Sequence, residues 1–153
     1  MTGCARFGDF LHAAHQALTR RAGTQPRDNV EEVSRSLLRV VTVLGRYAQD
    51  TATSTAITIV FLLAATQAAN GRDAALFAPS LPPRSLRARP ATGPPQRETT
   101  DDITTAVAGL SRLLASRLAA TATIAVAAAD RAACHDAAGC ARQVSDLLTG
   151  ENP

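Results

Sequence analysis

Six of the chain's eight prolines, Pro79, Pro82, Pro83, Pro90, Pro94 and Pro95, fall within the short span 79–95. Proline has no amide hydrogen and biases the residue before it away from the α region, so neither a helix nor a central strand can run through that span. The cluster predicts a flexible Pro- and Arg-rich linker over residues 71–100. It divides a single domain, 1–153, into a helical half at 5–70 and a second at 101–149. A turn of helix around Asp73 to Phe77 is the only order expected inside the linker.

Both halves read as helix because alanine, the strongest helix former and a poor strand former, supplies 32 of the 153 residues. An all-β fold is excluded on that ground. Tryptophan is absent and aromatic residues make up 3% of the chain, so the core is thin and burial by a partner chain would add to it.

In the first half Phe7, Phe10, Leu11, Ala14 and Leu18 recur at helical spacing, which predicts a helix from about Phe7 to Arg21. The next helix is predicted to begin at Asn29, capped by Asp28 with Glu31 completing a capping box. On a helical wheel Glu31, Glu32, Arg35, Arg39, Arg46 and Asp50 share one sector, while Val30, Val33, Leu37, Val40, Val41, Leu44 and Tyr47 fill the other side. Residues 51–71 carry no charge, so the helix predicted there reads as buried on every side and ends at the cap pair Asn70-Gly71. Whether it is separated from its predecessor at Asp50 or continues it as one bent rod is left open by the residues.

The second half opens on Thr99 with Asp101 and Asp102 behind it, a cap followed by acids that suit a helix N-terminus. Ile103, Val107, Leu110, Leu114 and Leu118 then repeat at helical spacing. Residues 101–137 form either one rod or two helices parted near Thr121-Ala122-Thr123, and a final short helix spans Ala141 to Leu148. The expected fold is all-α, a helical bundle or long helical hairpin of four to six helices.

No nucleotide-binding, zinc-protease or serine-hydrolase motif occurs, and a chain without lysine cannot form a lysine Schiff base. Neither a catalytic residue, a cofactor nor a metal is assigned. Cys4, Cys134 and Cys140 are too few and odd in number for a disulfide framework, which points to a reducing compartment and free thiols. The opening residues lack the apolar core of a signal peptide, giving an expectation of the cytoplasm. Residues 51–71 hold too many threonines, and too short an apolar run, for a membrane span.

Three features bear on function. The linker arginines Arg84, Arg87, Arg89 and Arg97 offer contacts to phosphates or to a protein partner. Arg117 interrupts the apolar stripe of its helix between Leu114 and Leu118, either with its stem along apolar surface and its head in water or as a paired residue fixing register at an interface. Cys134, His135, Asp136 and Cys140, with His12 and His15 elsewhere, gather the reactive side chains. The reading that follows is a non-enzymatic helical protein-interaction or scaffold module that self-associates, as a homodimer. The alternatives are a nucleic-acid-associated regulatory protein using the linker arginines, with Arg20, Arg21 and Arg27, and a thiol or metal sensor.

Overall fold

The computed structural model describes residues 26–49, 54–79 and 99–150, together with Gln16. The helix expected at Phe7 to Arg21 lies outside the described residues except for Gln16, which is helical. Most of the linker, including Arg84, Arg87, Arg89 and Arg97, lies outside them too. Among the described residues there are four helices and no strands: α1 (Pro26–Gln49), α2 (Thr55–Leu76), α3 (Thr100–Ile124) and α4 (Ala128–Thr149). The all-α bundle is therefore what the chain forms.

Each helix packs on two others in a ring, α1 on α2, α2 on α4, α4 on α3, and α3 more lightly on α1. The directions follow from particular contacts. Tyr47, near the end of α1, sits edge-to-face on Phe61, near the start of α2, with ring centroids 6.4 Å apart. Leu37 lies beside Gly71, so α1 and α2 are antiparallel. Gly71 also meets Ala137 and Cys140, while Phe61 shares a groove with Leu147 and Leu148, so α2 and α4 are antiparallel as well. α3 begins beside the end of α4. Neighbours in the ring thus run in opposite directions, with α2 and α3 parallel across the diagonal. The end of α2 and the start of α3 consequently lie at opposite ends of the bundle.

Two kinds of core surface meet in it. α1 and α3 contribute large side chains, among them Leu37, Val40, Leu44, Leu110, Leu114 and Leu118, all sealed from solvent. α2 and α4 contribute mostly small ones, Phe61, Val144 and Leu148 apart. Ala64, Ala68, Gly71 and Ala75 of α2 face a helix whose own buried residues include Ala133, Cys134, Ala137, Ala138 and Ala141. Small residues on both sides let the two backbones approach closely.

The helix ends differ from the expectations in instructive ways. α1 starts at Pro26, whose fixed φ and missing N–H suit the first helical position, so Asp28 sits in the first turn rather than at the cap. Its charged sector is also less exposed than expected. Glu32 is buried beneath Arg35 and Arg39, each 3.9 Å from it, and Glu31 pairs with Arg35 one turn on. Ser34 and Ser36 are fully buried.

α2 is a separate helix, capped by Ser54, whose hydroxyl accepts from the Ile57 amide at 3.4 Å. It does not stop at Asn70-Gly71 but runs on to Leu76, where the Phe77 amide donates to the Ala74 carbonyl at 3.2 Å ahead of Pro79. The linker boundary at 71 is thereby corrected, and the helical turn expected at Asp73 to Phe77 is the last stretch of α2 and its cap. Gly71 serves as a contact rather than a cap.

Thr99 caps α3 as expected, accepting from the Asp102 amide at 3.1 Å. Residues 101–137 are two helices, parted at Ala125 to Ala127 rather than at Thr121 to Thr123. The expected short helix at Ala141 to Leu148 is the second part of α4, which passes through Gly139 unbroken and ends at Gly150. There φ is +71°, a left-handed conformation that glycine adopts at no steric cost.

Candidate interaction surface

The uncharged stretch expected to be buried on every side is buried on one side only. Phe61, Ala64, Ala68, Gly71 and Ala75 form the inward stripe of α2. On the opposite side Ile59, Leu62 and Leu63 remain 53%, 50% and 51% exposed. Spacings of three and four residues bring these side chains into one patch on the helix surface. Thr55 and Thr66 flank them on the same exposed side, and the Thr66 hydroxyl donates to the Leu62 carbonyl at 2.9 Å. Between Ser54 and Gly71 there is no charged residue.

Around the helix from this patch, Ala56, Ile57, Val60 and Phe61 form one wall of an open groove of about 390 Å³. The first turn of α3, with Thr100, Asp101 and Thr104, and the end of α4, from Leu147 to Gly150, complete it. The lining is largely apolar. Thr104 donates its hydroxyl to the Thr100 carbonyl at 2.7 Å. Among the described residues that line the groove, Asp101 is the one ionisable side chain.

The reactive residues singled out in the sequence do not converge. Cys134 is sealed in the core, whereas His135 and Asp136 are exposed on other sides of the same helix. Cys140 is half-buried where α2 crosses α4, and both thiols are free. Burial raises the pKa of each, first by desolvation and then by a nearby carboxylate, Asp130 for Cys134 and Asp136 for Cys140. A reactive thiolate needs the opposite shift. Among the described residues no group of three or more His, Cys, Asp or Glu side chains is placed to hold a metal ion. Cys4, His12 and His15 lie outside them, as do Arg20, Arg21 and the side chain of Arg27.

Arg117 is half-buried on α3 beside Leu114 and Leu118, which are sealed, and its carbonyl accepts the Thr121 hydroxyl at 2.8 Å. Arg131 has a structural task that spacing did not reveal. Its guanidinium donates to the carbonyls of Ala125 at 3.1 Å and Val126 at 2.8 Å, closing the turn between α3 and α4.

The patch on α2 escaped the sequence reading because absence of charge marks a buried helix and a docking helix alike. Among the described residues no helix is long and apolar enough to cross a membrane. No protein-family model, curated protein or solved structure matches the chain.

Proposed function

We propose that the protein is a helical protein-interaction module, without catalytic activity, whose docking surface is the outward face of α2. One observation carries this reading: Ile59, Leu62 and Leu63 form a contiguous apolar patch, half-exposed, on a helix that bears no charge for four turns. Exposed apolar side chains grouped in this way support an interaction surface, whereas the same residues scattered singly would not. The other helices carry charge on their exposed sides, as with Asp101, Asp102 and Arg112 on α3 and Arg131, Asp136 and Arg142 on α4.

The test is accessibility inside the cell. Leu62→Cys and, as an exposed control, Val126→Cys are introduced separately into the full chain, Val126 being 94% exposed. Each is treated in living cells with a permeant maleimide, and labelling is read by peptide mass. The expected result is slow labelling at position 62 and fast labelling at position 126. Equal rates at the two positions would show the face uncovered and reject the reading.

A further inference from the structure

We infer that the outer side of α1 is a docking surface for the chain's own N-terminal segment, residues 7–21, packed antiparallel on it as a fifth helix. The inference is independent of the part played by α2.

Burial sets the problem. From Asn29 to Ala48, 20 consecutive positions of α1, no residue is exposed, whereas the longest such run in α2, α3 or α4 is five. A helix that packs on one side only keeps a polar face in water. Among the described helices α1 packs on α2 and more lightly on α3. Yet Glu31, Leu38 and Thr42, which share the side of α1 turned away from the core, are half-buried, and the Glu31 side chain is only 14% exposed. A third body of polypeptide therefore lies on α1.

The charges of that side are already neutralised. Lowering a charge into an apolar contact is costly unless it is paired. Here the pairs form within the helix, Arg35 with Glu31, and both Arg35 and Arg39 with Glu32 at 3.9 Å. The stems of the two arginines then add apolar surface on which another helix can rest.

Connectivity selects the occupant. Only residues 22–25 separate Arg21 from Pro26, and so short a helix–helix connection makes antiparallel neighbours. Phe7, Phe10, Leu11, Ala14 and Leu18 recur at helical spacing, an apolar stripe that needs a surface, and Gln16 among them is helical. Folded back from Pro26, the segment makes about 22 Å of helix against about 36 Å for α1. Leu18 then comes near the level of Glu32 and Phe7 near that of Val43. The Pro-rich span 79–95 is the other stretch of chain long enough to cross α1, but it cannot present a helical stripe.

The experiment uses the full purified chain. Because the sequence contains no lysine, one introduced lysine is the only side-chain amine, and a zero-length carbodiimide joins it to a carboxylate that it touches. In His15→Lys, coupling to Glu31 or Glu32 is expected, read by peptide mass, with mixed isotopes placing the bond within one chain. Coupling to those glutamates from Arg87→Lys and not from His15→Lys would overturn the inference and give the surface to the linker. Coupling from neither, or only between copies, would overturn it as well.

Cover is measured separately. Thr42→Cys is labelled with a maleimide in the chain as it stands and in one also carrying Phe7→Asp and Leu11→Asp, while the sealed Cys134 reports on the fold. The acidic pair should speed labelling at position 42 by about tenfold or more and leave Cys134 unchanged. No change at position 42 would overturn the inference. Should Cys134 speed up equally, the whole fold has opened and the coupling result decides alone.

Discussion

Gly71 and Cys140 meet where α2 crosses α4: a Cβ added to the glycine would stand 3.0 Å from the Cys140 Cβ and 3.4 Å from the Ala137 carbonyl oxygen. Both of those atoms are fixed by the α4 backbone and cannot rotate aside. Gly71→Val therefore forces the helices apart and should lower stability by about 2 kcal/mol. Gly139, also inside a helix, has nothing within 4 Å of an added Cβ. Gly139→Ala should raise stability by about 0.5–1 kcal/mol through helix propensity alone. Urea midpoints at unchanged slope measure both, and a Gly71→Val protein as stable as the parent would refute the close crossing.

Glycine was also where the sequence misled most. Asn70-Gly71 has the form of a helix cap and Gly139 that of a breaker, yet both lie inside helices. In a seam built from alanine, glycine is one step further along the same series of small residues. Alternation of apolar and charged residues made the inner face of α1 legible, and the Thr99 cap made the start of α3 legible. On α2 there was no polar contrast to show which side faced the core, so its inner stripe and its outer patch looked alike.

Phe61 seals the end of the core against Tyr47 and is itself 1% exposed. Phe61→Ala removes the edge-to-face contact and leaves a cavity, at a cost of about 3–5 kcal/mol. For a domain of this size that is a large share of the total. Thermal unfolding followed by circular dichroism should show a large fall in midpoint, with Phe61→Leu intermediate between the two.

Arg131→Ala withdraws the donors from the carbonyls of Ala125 and Val126. The side chain is exposed, so the loss should be no more than about 1 kcal/mol. The local effect should be clearer: the Ala125 amide, which donates to the Thr121 carbonyl at 3.0 Å, should exchange faster with deuterium. Arg142→Ala, at another exposed position of α4, should leave that amide unchanged.

The thiols give a pH dependence of fixed sign. Burial raises both pKa values, so above the usual thiol range the unfolded chain loses its protons first. This contribution to stability is intact at neutral pH and falls as pH rises from the unfolded value towards the folded ones. Near pH 7 a disulfide reagent should reach the half-buried Cys140 slowly and Cys134 only through unfolding. Labelling of Cys140 as fast as a small free thiol would contradict its burial.

Because α2 ends and α3 begins at opposite ends of the bundle, the fold separates local contacts from distant ones. α1 with α2, and α3 with α4, are hairpins whose partners are close neighbours along the chain. The alanine seam between α2 and α4 joins residues some seventy positions apart, Gly71 with Cys140, and waits on closure of the long connection. Closure entropy grows only logarithmically with loop length, so the stability of the seam is insensitive to how many residues that connection holds. Its composition is then freed from the demands of folding, and insertions or deletions that still span the bundle leave the order of assembly intact.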